Sequence, residues 1–151
     1  MEKKQTYVEV QMMIRKPAKE VFNAFYHPEQ TKNFWFTKGS GLLNKNTTVI
    51  WEWEMYNIQT KVLVKDVIVD DLIKIEWGDP ATTVEFSFRK LGEDKTVVVI
   101  KNYGLHQQGE ELNKAIMDLT GGFTTVLDGL KAYLEHGINL NLIADKYPQG
   151  K

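Results

Sequence analysis

A single apolar stripe near the end of the chain constrains the fold most. Leu112, Ile116, Leu119, Phe123, Val126, Leu127, Leu130 and Leu134 recur at three- and four-residue spacing, which predicts an amphipathic helix of about seven turns. Glu110 and Glu111 suit the positive end of its dipole, and Gly137, just past His136, is a suitable stop. So long a stripe needs an equally long apolar partner. Most of the sequence ahead of it alternates like β-structure, so that partner is a sheet.

Residues 7–14 put Val8, Val10, Met12 and Ile14 at period two, a strand with one buried face. Pro17 opens a short helix carrying Ala18, Val21, Phe22 and Phe25 on one side, and Pro28 opens a second that runs to about Trp35. Thr37-Lys38-Gly39-Ser40-Gly41 reads as a loop. In 48–56, Val49, Trp51, Trp53 and Met55 should face the core, with Glu52 and Glu54 in water. Strands over 58–69 and 72–77 follow, separated by an Asp70-Asp71 turn, the second with Ile73, Ile75 and Trp77 on one face. Residues 82–90 place Val84, Phe86 and Phe88 inward, and a Leu91-Gly92-Glu93-Asp94 turn leads to the sixth strand, 96–103. Val97, Val98, Val99 and Ile100 are all apolar, so alternation leaves the register of that strand open. The tail, 138–151, is apolar enough that it should pack back on the body. Six antiparallel strands with segregated helices give an α+β class, a curved sheet gripping the last helix.

The 151 residues suit one domain, 1–151, and a chain of that length buries roughly 70% of its unfolded surface. Nineteen basic residues against twenty acidic ones give a net charge of −1, which offers no electrostatic footprint for nucleic acid. No apolar run approaches the roughly 20 residues of a membrane span, so no membrane insertion is expected. Met1-Glu2-Lys3-Lys4-Gln5 has no hydrophobic segment of a signal peptide, so a cytoplasmic location is expected. With no cysteine, disulfides, thiolate metal sites and thiol nucleophiles are excluded.

Four segments carry a resemblance to a known family: PAKEVFNAFYHPEQTKNFW at 17–35, LIKIEWG at 72–78, TTVEFSFRKLGEDKTVVVIKNYG at 82–104 and GGFTTVLDGLKAYLEHG at 121–137. Through them the chain resembles the activator of heat-shock-protein-90 ATPase homologue family, within the START-like (SRPBCC, Bet v 1-like) helix-grip superfamily. The resemblance implies two short helices after strand one and a cavity between sheet and last helix. Lys16 and His27 stand where the family usually has better capping residues, and Phe123 stands where a tryptophan usually follows Gly122. The co-chaperones that name the family carry a separate N-terminal domain with an Asn/Trp-rich motif, which these residues do not contain. Chaperone activation is therefore not expected to carry over.

Trp51, Trp53, Trp77, Phe86 and Phe88 supply aromatic surface on faces directed at the long helix, the lining of an apolar pocket or of a plain core. Two glycines in mid-helix cost about 1 kcal/mol each relative to alanine, so Gly121-Gly122 either gives room for a close approach or marks a kink or break. Asn102, expected to face inward, either orients a ligand or bonds a backbone group. With Ile100, Met117, Gly122 and Phe123 these make up the candidate ligand-binding set. Glu52 and Glu54 are explained by the alternation, and His27, His106 and His136 have no metal-ligand spacing. No phosphate-binding or dinucleotide fingerprint occurs, so neither metal nor cofactor is expected.

The first functional expectation is a non-enzymatic, monomeric binder of a small hydrophobic molecule, a lipid or a polycyclic aromatic metabolite. A polyketide cyclase or dehydratase, of the kind the superfamily contains, is the second, with Asn102 and His106 its only candidate groups. A module assisting a chaperone ATPase ranks third.

Overall fold

The computed structural model describes residues 6–150, so the segment Met1–Gln5 on which the signal-peptide argument rests lies outside the described residues. The elements are β1 (Tyr7–Ile14), α1 (Ala18–Tyr26), α2 (Pro28–Thr31), β2 (Lys38–Gly39), β3 (Thr48–Trp53), β4 (Ile58–Ile68), β5 (Leu72–Trp77), β6 (Thr82–Gly92), β7 (Lys95–Tyr103), α3 (Gly109–His136) and α4 (Leu142–Lys146). All strands join one antiparallel sheet in the order β1-β7-β6-β5-β4-β3-β2. The first strand therefore pairs with the last, from Tyr7 opposite Tyr103 to Ile14 opposite Thr96.

The sheet has seven strands, not the expected six. The extra one is β2, inside the segment read as a loop, where Lys38 and Gly39 lie opposite Glu52 and Trp51. Two residues are too few for a period-two pattern to register. The edge is fixed by hydrogen bonds from Thr37 N–H to Glu52 O (2.8 Å) and from Ser40 N–H to Ile50 O (2.9 Å). Gly39 has no room for a side chain: a Cβ there would stand 2.7 Å from Pro28 Cβ and 2.9 Å from Phe36 Cε1.

A second difference follows Trp53. The strand stops there, and Glu54–Tyr56 form a 3-10 turn ending at left-handed Asn57 (φ 53°). Met55 is consequently 46% exposed instead of core-facing. Tyr56 is turned toward the C-terminal segment, its hydroxyl directed at Tyr147 O (2.7 Å) and Ile143 O (3.2 Å). The apolar tail does pack back, through α4.

On β7 the inward side chains are Thr96, Val98, Ile100 and Asn102. The helix α3 runs unbroken through Gly121-Gly122 and closes at left-handed Gly137, whose N–H returns to Tyr133 O at 2.9 Å. Its buried residues begin only at Phe123, so the second half is gripped and the first half rides higher. Gly129 permits that grip, since a Cβ on it would meet Phe34 Cβ and Phe34 O at 3.2 Å. At the far end Glu135 Oε2 accepts from Arg15 N–H (3.0 Å) and Lys131 Nζ (2.6 Å), while Lys131 also donates to Met13 O (2.9 Å). This cluster ties α3 to the end of β1.

Candidate functional site

Between the sheet and α3 runs the segment Phe34-Trp35-Phe36, every residue of it buried. The helix opened at Pro28 ends at Thr31, short of the expected Trp35, so this segment belongs to neither a strand nor a helix and periodicity gives no sign of its burial. Trp35 is the hub of an aromatic cluster, its ring centroid 4.9 Å from that of Trp51, 5.9 Å from Trp77, 5.8 Å from Phe86 and 6.2 Å from Phe123. Phe36 stacks on Trp51 at 4.9 Å. Such ring pairs add to the area they bury about 0.5–1.5 kcal/mol each.

Beyond Trp35 the packing opens into a cleft of about 210 Å³. Trp53, Tyr56, Ile58 and Trp77 form its sheet side, Asp118, Leu119, Gly122, Phe123 and Val126 its helix side, and Ile143 and Tyr147 close it from the C-terminal segment. Trp77 and Phe123 stack across the sheet–helix boundary. A Cβ built on Gly122 would meet nothing within 4 Å, so the helix backbone there faces open space. The helix is not broken at the glycine pair, and it is Gly122 that opens on the cleft, while Gly121 lies beside Lys146.

Of the candidate residues, Trp53, Trp77, Gly122 and Phe123 line this cleft. Trp51 lies beneath Trp35 and Phe36, 1% exposed. Phe86 and Phe88 pack on Phe25 of α1, at 5.2 and 5.7 Å, and Phe88 also meets Phe22. They face inward as expected, and it is on α1 and Trp35 that their rings pack. Ile100 is a fully buried core residue of β7. Met117 is a correction: it is 71% exposed and not among the cleft residues, since it follows Ile116 and so falls about 100° round the helix, off the Ile116–Leu119–Phe123 stripe.

Asn102 is fully buried and faces inward, donating from Nδ2 to Thr83 O (2.8 Å) and Thr82 Oγ1 (3.1 Å). Among the described residues its Oδ1 meets no donor. Those bonds clamp β6 to β7, the backbone-binding alternative for this residue. His106 is exposed on the loop after β7 and is not a cleft residue. Glu52 pairs loosely with Lys38 at 3.9 Å, and Glu54 is exposed.

The candidate set leaves out Trp35, Tyr56, Ile58, Asp118, Leu119, Val126, Ile143 and Tyr147, of which Leu119 and Val126 enter only as part of the helical stripe. The tail's apolar content hinted at Ile143 and Tyr147; Tyr56 is turned by a left-handed residue that no alternation predicts. Asp118 is exposed, at the rim. Burial pushes the Tyr147 phenol above its ordinary value, and the Asp118 carboxylate and Tyr56 add to the effect.

An antiparallel sheet holding one long C-terminal helix, with two short helices after the first strand and an aromatic cleft between the layers, defines the START-like, helix-grip class. The chain belongs to the family described as activator of Hsp90 ATPase homolog 1-like protein, whose sequence model matches residues 15–135. Protein SSP2350 of Staphylococcus saprophyticus is similar at 26% identity, with a TM-score of 0.79 over 89% of this chain and 96% of that one. Aha1 of Colwellia psychrerythraea, solved as a dimer, shares 14% identity and superposes with a TM-score of 0.73 over 87% of this chain and 98% of its own. CalU16 of Micromonospora echinospora shares 15%, with a TM-score of 0.68 over 91% and 79%. No curated protein matches the chain. Among the described residues no helix is long and apolar enough to cross a membrane.

Proposed function

We propose that this protein binds a small apolar molecule in the cleft between its sheet and α3. The observation that carries this reading is the cleft itself: about 210 Å³, walled largely by aromatic rings, with the helix backbone bare at Gly122. Cavities of about 150 Å³ lined by apolar side chains take up benzene, so one ring, or two fused rings, sets the scale here. That is smaller than the lipid or polycyclic metabolite the sequence suggested. The cleft is built within a single copy of the chain, in keeping with a monomer as the binding unit.

Binding without catalysis is favoured by where the polar groups lie. A cyclase or dehydratase needs an acid and a base converging on one substrate, whereas neither Asn102, whose Nδ2 is held by β6, nor His106 is among the residues lining the cleft. The activity in the family's description would be read separately, as a change in chaperone ATPase rate on adding this protein.

The test is an NMR titration of the wild type and Gly122→Leu with single-ring and fused-ring compounds. Amide shifts are expected around Trp53, Trp77 and Gly122 in the wild type, and their loss in the folded variant, whose leucine fills the space. Shifts that persist undiminished in Gly122→Leu, or none near these residues across a broad set of compounds, would overturn the reading.

A further inference from the structure

Among the described residues Asp118 is the one carboxylate lining a cleft otherwise made of rings, aliphatic groups and the bare helix backbone at Gly122. It sits on α3 one turn before Gly122, so it flanks the bare stretch of helix from the solvent side. Among the described residues no Lys, Arg or His nitrogen stands within 4.0 Å of it. The rings of Trp53, Tyr56, Trp77 and Tyr147 line the same space. Aromatic faces attract cations through their quadrupole, most strongly where water is excluded, and indoles do so best. A carboxylate at the mouth adds attraction of the same sign and rejects anions.

Resting on the reading of this cleft as a ligand site, we propose that its ligand is a cation, an aromatic amine whose ring lies among the tryptophans and whose ammonium points to Asp118. The chain already shows the recognition in small: Lys146 Nζ stands 5.7 Å from the centroid of Tyr147. That ammonium is a competing positive charge near this stretch of helix, since a Cβ on Gly121 would meet it at 3.5 Å, and Lys114 lies one turn before Asp118 on the same helix. Both ammonium groups stand more than 4.0 Å from the Asp118 carboxylate, which among the described residues has no ion-pair partner.

Three compounds of nearly one shape separate charge from shape: 2-phenylethylamine, 2-phenylethanol and 3-phenylpropionate, titrated at neutral pH with the amides followed by NMR. The amine is expected to bind roughly three- to tenfold tighter than the alcohol, a modest factor because Asp118 is solvent-screened. The propionate is expected to bind most weakly. In Asp118→Asn the preference for the amine should shrink toward unity while the alcohol's affinity stays unchanged. An alcohol that binds in the cleft as tightly as the amine, a propionate that binds tightest, or an amine preference surviving Asp118→Asn would overturn the charge selection and leave the cleft as a neutral apolar site. If none of the three shifts the amides around Trp53, Trp77 and Gly122, the ligand site itself falls, and this inference with it.

Discussion

The ring of Phe123 lies stacked on the indole of Trp77, centroids 5.9 Å apart and planes 24° apart. One residue comes from the helix and the other from β5, so this pair closes the inner end of the cleft and joins the two layers. Phe123 is 4% exposed, and removing a buried phenyl group typically costs about 3–5 kcal/mol. Phe123→Ala should fall at the lower end, about 3 kcal/mol, because the void merges with a cleft already open to water. Denaturant unfolding followed by tryptophan fluorescence measures it; a loss below about 1 kcal/mol would mean that the stack carries little of the sheet–helix contact.

Three glycines of α3 should respond differently to alanine. At Gly122 a Cβ meets nothing, and at Gly121 only the end of the Lys146 side chain, Nζ at 3.5 Å and Cε at 4.0 Å, so each replacement should stabilise by roughly 0.5–1 kcal/mol, the helix-propensity gain. At Gly129 the new methyl meets the Cβ and carbonyl oxygen of Phe34 at 3.2 Å, and a backbone oxygen yields little. Gly129→Ala should therefore gain nothing or destabilise. Thermal melts of the three variants decide the matter.

Tyr56→Phe removes the hydroxyl directed at Ile143 O and Tyr147 O. A hydrogen bond of this kind contributes about 0.5–1.5 kcal/mol, and α4 has no buried residue of its own to compensate. Amide hydrogen exchange across residues 142–147 should accelerate up to about tenfold while the core strands keep their protection. Unchanged exchange would show that α4 is held by its apolar contacts alone.

Glu135 gives a pH dependence. Burial raises its pKa, but the bonds from Lys131 and the Arg15 amide, with the charges of Lys131 and His136, outweigh that and hold the carboxyl below the ordinary glutamate value. A depressed native value contributes stability that is complete above the unfolded pKa, near 4.3, and is lost as the pH falls through the native one. Glu135→Gln should thus cost about 1–3 kcal/mol at neutral pH, and the gap from wild type should narrow steadily as the pH drops below about 4. Urea unfolding at a series of pH values tests the sign; a gap that widens in acid would reverse it.

The layers of this protein were legible in its sequence, and much of the cleft was not. Period-two alternation located Val84, Phe86 and Phe88 on the inner face, and the stripe ending at Leu134 marked the gripped helix, because each is a local regularity. What alternation cannot say is which element covers a given stretch of inner face. Phe86 and Phe88 went to α1, and Trp51 to Trp35 and Phe36, since the covering pieces are short, irregular segments whose docking is decided by tertiary packing. The all-apolar run 97–100 left its register open. Pairing with β1 and β6 settles it by bringing Thr96 and Asn102 inward along with Val98 and Ile100. Tyr56 and Tyr147 meet across 91 residues, a separation that no window-based pattern spans.

The pairing of β1 with β7 carries a consequence for how the chain is made. A ribosome delivers Val8, Val10, Met12 and Ile14 well before the residues that lie opposite them in the sheet, Thr96 to Asn102, which emerge only after most of the sheet has been synthesised. Until then the strand is an apolar segment with unsatisfied backbone, open to any other edge it meets. Contacts so distant in sequence also slow closure of the fold, because the loop between them has to be ordered before the pairing repays it. Nascent chains halted before β7 should accordingly be protease-sensitive, and release of β7 is the step at which the sheet can first be completed.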